Sequence, residues 1–192
     1  MDYTLEVITP PTKQLVSIER AKAQLRVERT EIHEDDFILD LIDEATELVE
    51  DQADITLMPK TYRLTMPRFP KRSSDSIYLP RPPLVIVNSV KYFDASGDEQ
   101  SLDETQFSSG YLSSVWLDLN ACWPATRRRK HAVTIEYQSG SDSPPKRARR
   151  AILLIVATWF LDREGEREIP AAAAALIDQL RPGDEFSQVD AA

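Results

Sequence analysis

Glycine, cysteine, histidine and positive charge are all in short supply in this sequence, and each shortage removes a class of function. The five glycines, Gly97, Gly110, Gly140, Gly165 and Gly183, are isolated from one another, so no glycine-rich loop can cradle a nucleotide phosphate. The single cysteine, Cys122, excludes an intrachain disulfide framework and is expected to be a packed, reduced thiol. The two histidines, His33 and His131, form no CxxC, HxxxH or HExxH spacing with it, so zinc is not expected. A Cys122–His131 nucleophile pair is not expected either, because the stretch between them reads as turn and basic run. With 23 Lys and Arg against 32 Asp and Glu, the net charge is -9. That balance argues against the whole chain gripping a DNA duplex, since such affinity comes from clustered cations that release counterions. No apolar run reaches the roughly twenty residues needed to cross a bilayer. The opening residues, MDYTLEVITPP, have no apolar core of signal-peptide length, so secretion by that route is not expected.

What the chain does have is one long apolar helix, Pro144 to Glu164, reading PPKRARRAILLIVATWFLDRE. Two prolines suit a first helical turn, where the amides have no intrahelical acceptor, and no breaker follows until Gly165. Wrapped at 3.6 residues per turn, the run from Ala151 to Leu161 is apolar on nearly every side. It must therefore be covered from several directions, by its own domain or by another copy of the chain.

Around that helix the chain reads as one domain over residues 1–192, of α+β class: a helical body of three to four helices with a small antiparallel β region inserted. Residues 12–56 and 144–182 are assigned to the helical body, 60–138 to the β insertion and 184–192 to a flexible acidic tail. The first eleven residues read as an extended arm. Ser17 is a suitable N-cap for a short helix that ends at Val27, with Ile18, Ala21 and Leu25 on one face. Phe37, Ile38, Leu41, Ile42, Ala45, Leu48 and Val49 predict a longer amphipathic helix. Its opposite face is one-signed, with ten carboxylates and no Lys or Arg between Glu34 and Asp54. Lys60–Met66, Ile77–Leu79, Leu84–Phe93, two weak segments within Gln106–Leu119, and Val133–Tyr137 read as strands. Pro67, Pro70, Pro80, Pro82 and Pro83 would interrupt central strands, which places those positions at edges or in loops. Asp94 to Asp98 is a turn; the full DASGDEQ stretch lacks the spacing and final glutamate of a calcium loop. Ala171 to Arg181 is an alanine-rich helix stopped by Pro182-Gly183.

No catalytic signature emerges, so no enzyme, metal or cofactor is expected. A carboxylate-based two-metal nuclease is disfavoured because the acidic residues are contiguous on one helix instead of gathered from separate elements around a cleft. What remains is a charge map. Arg127, Arg128, Arg129, Lys130, Lys146, Arg147, Arg149 and Arg150 oppose the acidic helix. The two surfaces can pair within a protomer, or between protomers as a head-to-tail contact that closes a ring; periodicity does not choose between these. A soluble acidic binding module remains a further alternative.

Several ordered pieces of the chain resemble the head-tail connector (adaptor) proteins of long-tailed phages and prophages. They are Val7-Ile8-Thr9-Pro10-Pro11, Ser17 to Lys22 with Leu25-Arg26-Val27, and Leu79-Pro80-Arg81-Pro82-Pro83-Leu84. Ser89 to Tyr92 with Asp94 and Gly97, Trp123-Pro124, Val133 to Gly140, and Pro144 through Arg149-Arg150-Ala151 and Trp159 to Arg163-Glu164 continue the likeness to about Leu180. The resemblance implies a ring of about twelve copies under the portal of a DNA-filled capsid, extending the DNA channel and meeting the next neck or tail protein. DNA would pass without specific binding, no membrane would be involved, and the protein would assemble in the host cytoplasm into the virion neck. It also implies that the C-terminal part, with Leu176, Leu180, Arg181 and Phe186, docks onto the portal. On this view Lys146, Arg147, Arg149, Arg150, Ile152, Ile155 and Trp159 form a subunit interface, and Asp36, Asp40, Asp43 and Glu47 form an interface or channel face. A stopper or tail terminator is the runner-up.

Overall fold

The computed structural model of the chain describes residues 3–110, 113–118, 121–127, 129–162 and 167–182. They form an α+β fold in two compact units: the described residues up to 12 with those of 59–142, and residues 13–58 with the described ones from 143 to 182. The tail, Phe186 included, and Arg128, Arg163 and Glu164 lie outside the described residues.

The first unit is built of strands. Its five-stranded antiparallel sheet has the order β1 (Thr4–Thr9), β2 (Lys60–Met66), β8 (Val133–Ser139), β4 (Leu84–Phe93) and β5 (Glu99–Ser101). A three-stranded sheet contains β3 (Ile77–Tyr78), β7 (Ser114–Leu117) and β6 (Phe107–Gly110). The expected arm is therefore an edge strand, because Leu5 and Val7 face Leu64 and Tyr62 across the ladder to β2. The prolines behave as strand boundaries: β2 stops before Pro67 and β4 starts after a cis Pro82–Pro83 bond. That arrangement lets β4 sit inside the sheet, where a proline could not supply its ladder amide.

Alternation along β2 and β8 sends Tyr62, Leu64, Ile135 and Tyr137 to one buried side with Val90 of β4. Tyr137 is the polar centre of that core. Its ring stacks on Tyr62 at 5.6 Å between centroids, and its hydroxyl donates to the Pro80 carbonyl at 2.7 Å. Burial holds the phenol far above its ordinary pKa, so it remains a neutral donor. On the outward side Arg63 pairs with Glu136 directly across the ladder at 2.8 Å.

The turn between β4 and β5 is held by one carboxylate. Asp94 Oδ1 accepts from the amides of Ser96, Gly97 and Asp98 at 2.9 to 3.0 Å, and Oδ2 accepts from Gln100 Nε2 at 3.0 Å. Gly97 has φ 99°, and a Cβ there would also strike the Arg127 guanidinium. Arg129 lies over the Phe93 ring at 4.0 Å. These arginines of the basic run thus belong to the hairpin.

The second unit is a helical cluster: α1 (Ile18–Leu25), α2 (Asp35–Ala53), α3 (Lys146–Leu161) and α4 (Ala171–Asp178). Ser17 caps α1 by accepting from the Arg20 amide, and Arg26 ends it in the left-handed region at φ 60°. α2 buries Ile38, Leu41, Ile42, Ala45, Val49 and Ala53. Each large aliphatic side chain buried contributes about 1.5–3 kcal/mol, whereas each like-charge pair at i, i+4 costs about 0.2–0.5 kcal/mol. The apolar face therefore outweighs the one-signed outer face. α3 contacts α1, α2 and α4. α4 stops at Asp178, one turn short of the expected Arg181.

The β unit gives two measurable outcomes. Tyr137→Phe strands the buried Pro80 carbonyl and lowers stability by about 1–3 kcal/mol, read as a shift in urea midpoint at unchanged slope. The Gln100 side-chain amide, followed by the turn amides, holds the Asp94 carboxyl below its ordinary value of 3.8. Because the folded value is depressed, the stabilisation is present above that ordinary value and is lost as pH falls through the folded one. An NMR titration of Asp94 is expected to give a midpoint below 3.8, rising toward the ordinary value in Gln100→Ala.

Candidate functional site

The helical unit carries two charged surfaces of opposite sign. The first is a groove of about 640 Å³ between α1 and α3, lined by Arg20, Gln24, Lys146, Arg149, Arg150, Leu153 and Leu154. Helical spacing explains the set. Arg20 and Gln24 are four residues apart and share one side of α1, while Lys146, Arg149, Arg150, Leu153 and Leu154 recur at the three-to-four residue spacing that defines one side of α3. Arg149 is anchored, with Nε donating to the Leu15 carbonyl at 3.3 Å. Lys146 and Arg150 are exposed. Leu153 and Leu154 are half-buried against the helical core and supply the groove's apolar part. Four cations and no carboxylate line it.

The second surface is the outer side of α2. Asp36, Asp40, Asp43 and Glu47 are all exposed there, and their spacing of four, three and four residues makes one stripe along the helix. Asp43 Oδ1 accepts from Gln14 Nε2 at 2.8 Å. The neighbouring Glu44 pairs with Arg167, whose guanidinium also sits 5.3 Å from the Trp159 ring centroid. Just before the helix Ile32 stands 68% exposed, four residues ahead of Asp36.

The turn carrying Ile32 is pinned from beneath by a buried lysine. Lys22, 3% exposed, forms an ion pair with Asp35 and donates from Nζ to the carbonyls of Glu31 at 2.6 Å and Arg29 at 3.5 Å. His33 N donates to Glu31 Oε1 at 3.0 Å, and Asp35 N to the Ile32 carbonyl at 3.2 Å. A buried ammonium needs a counter-charge and acceptors, and this one finds both in the α1–α2 turn. At its other end, α2 is closed by buried Glu50, whose Oε1 accepts from Leu57 N at 2.8 Å.

Several sequence expectations change against this geometry. Ile152, Ile155 and Trp159, expected at a subunit interface, are 0, 0 and 5% exposed inside the helical unit's own core. Trp159 Nε1 donates there to the Glu168 carbonyl at 3.1 Å. Their cover comes from α1, α2 and α4, and what α3 leaves exposed is Lys146 and Arg150 at its start and Leu161 at its end. Arg147 is half-buried and does not line the groove. Leu180 is 7% exposed in the same core with Leu176 packed against it, whereas Arg181 is exposed and lies 3.4 Å from Asp178. Cys122 is exposed, not packed. His131 is paired with Thr65 Oγ1 at 3.1 Å.

The charge map also divides, because Arg127, Arg129 and Lys130 belong to the β unit and residues 146–150 to the helical unit. Sequence reading missed Arg20, Gln24, Leu153 and Leu154 as one surface, and missed Ile32. The spacing signal in α1 and α3 was present, but nothing linear says that the two helices flank a groove. Among the described residues no group of three or more His, Cys, Asp or Glu is placed to hold a metal ion, and no helix is long and apolar enough to cross a membrane.

Neither a protein-family model nor a curated protein matches the chain. In fold it is similar to three chains of solved particle structures. One is from the neck of an empty gene transfer agent (GTA) particle computed with C6 symmetry, with a TM-score of 0.77 and 20% identity over 93% of this chain and 95% of that one. A second, from the virion of a native GTA particle, has a TM-score of 0.73 and 19% identity over 92% and 94%. The third, from the neck of a native GTA particle computed with C12 symmetry, has a TM-score of 0.70 and 20% identity over 93% and 94%. At these identities the likeness is one of fold, and it spans nearly the full length of each chain.

The pinned turn makes a direct prediction. Lys22→Ala leaves Asp35 without its counter-charge and is expected to cost about 3 kcal/mol, the low end for breaking a buried pair, because Asp35 keeps 29% side-chain exposure. Urea denaturation measures the loss. Amide exchange across residues 29–35 should rise with it.

Proposed function

We propose that the protein is a structural component of the neck of a phage-like particle, a ring-forming head-tail connector that docks under the portal, continues the DNA channel and joins capsid to tail. The observation that carries this reading is the fold shared along more than nine-tenths of both chains with proteins of GTA necks. The C6 and C12 symmetries of those structures suit a cyclic arrangement of copies. The resemblance of ordered sequence pieces, from Val7 to about Leu180, to connector proteins points the same way.

The physical properties of the chain fit the role. Charged surfaces of opposite sign on one protomer favour a head-to-tail contact, and a heterologous contact closes into a ring when its rotation permits. A net charge of -9 suits a passage through which DNA moves without sticking. No catalytic step is assigned. The resemblance to connector proteins is the ground for assigning portal contact to the C-terminal region, where Arg181 is exposed while Leu180 serves the protomer's core.

Electron microscopy of the full chain mixed with purified portal from the same particle tests the proposal. A ring of this protein capping the portal is the expected result. Binding to tail tube instead of portal would reassign the chain to a stopper or tail terminator, and binding to neither would overturn the neck role.

A further inference from the structure

We infer that the groove between α1 and α3 is the receptor for a second copy of this chain, which inserts Ile32 against Leu153 and Leu154 and lays the acidic stripe of its α2 along the groove's cations. The inference rests on the ring-forming reading above and names the surfaces that would make the ring.

Shape, charge and length each support this occupant. The groove pairs a half-buried apolar part, Leu153 and Leu154, with cations from Arg20, Lys146, Arg149 and Arg150. The partner surface has the reciprocal composition, an apolar knob at Ile32 followed by Asp36, Asp40, Asp43 and Glu47. Ile32 is 68% exposed, and its turn is held in place by Lys22 and Asp35. A knob fixed before contact loses little conformational freedom on binding. The stripe from Asp36 to Glu47 runs about 16 Å and the groove side of α3 from Lys146 to Leu154 about 12 Å, at a rise of 1.5 Å per residue.

A chain cannot seat its own stripe. α2 turns its apolar side to the helical core, so the carboxylates point away from the α3 beside it. Donor and receptor therefore lie on different faces of one protomer, and each copy uses both. That is the heterologous geometry from which rings are built. The cations and carboxylates set register and encounter rate, while the knob in its apolar seat supplies the part of the contact that salt does not screen.

The test uses the full chain with Cys122→Ser, which removes the single native thiol. One preparation carries Ile32→Cys and another Leu154→Cys, and the two are mixed under mild oxidation at low salt. A disulfide-linked pair forming in the mixture, and far more slowly in either preparation alone, is expected. Absence of that pair overturns the inference. A pair that forms only after residues 183–192 are removed also overturns it, because the chain's own acidic segment would then be the groove's occupant.

Charge variants give an independent arm that needs no new thiol. Lys146→Glu with Arg150→Glu should weaken self-association at least ten-fold by sedimentation, with circular dichroism unchanged. Adding Asp36→Lys and Asp40→Lys to the same chain should restore it. If the charge-reversed chain still builds rings on the portal at the native level, the interface is wrong while the neck role stands. If the disulfide and the charge swap behave as expected but no portal or tail tube is bound, the interface stands and the neck role fails.

Discussion

Everything in the helical unit depends on the burial of α3. Ala148, Ala151, Ile152, Ile155, Val156 and Trp159 are enclosed by the three helices around it. With α3 in place α2 has somewhere to put its apolar face, and a helix carrying ten acidic groups in and around it can persist. Without it, α2 would keep only its lesser contacts with α1 and α4 to offset the self-repulsion of the outer face. The charged surfaces are thus secondary products of one apolar contact. α2 tolerates a uniform acidic face because its inner face is so well covered, and α3 can carry cations at its start because its middle is committed to the core.

The β unit solves a different problem with equally few polar groups. Tyr137 gives its buried hydroxyl one carbonyl, and Asp94 organises a whole turn with two oxygens. In both, a single side chain satisfies backbone groups that cannot reach a ladder. Buried or turn-bound polar groups left unpaired would cost more than these side chains lose in freedom.

Much of this was legible in the sequence wherever period and burial agree. α2 announced itself through Phe37, Ile38, Leu41, Ile42 and Ala45, and β8 through the alternation of Val133, Ile135 and Tyr137. The α+β class followed from their order. β1 was less legible because only one of its sides has a ladder partner, and an edge strand and an extended arm share one composition. The candidate site was half visible. Its charges stood out as runs, but a run is a property of the chain and a surface is a property of the fold. Arg20 and Lys146 are more than a hundred residues apart, and Arg127 and Arg129, close in sequence to the patch, serve the β4–β5 hairpin instead. The apolar run of α3 was ambiguous for the same reason. Periodicity shows that a helix must be covered on all sides, but its covering elements are named only by the structure, and for Ile152, Ile155 and Trp159 they come from the same chain.

The order in which the helices occur along the chain has a consequence for biosynthesis. α1 and α2 are complete about ninety residues before α3 begins, with the whole of β2 to β8 in between. At roughly 5–20 residues per second, the apolar side of α2 waits on the order of 5–20 s at the ribosome for its cover. A nascent amphipathic helix in that position is an aggregation hazard. The carboxylates on its other side bear on that interval, because like charge on neighbouring nascent chains opposes their association until the last helices arrive.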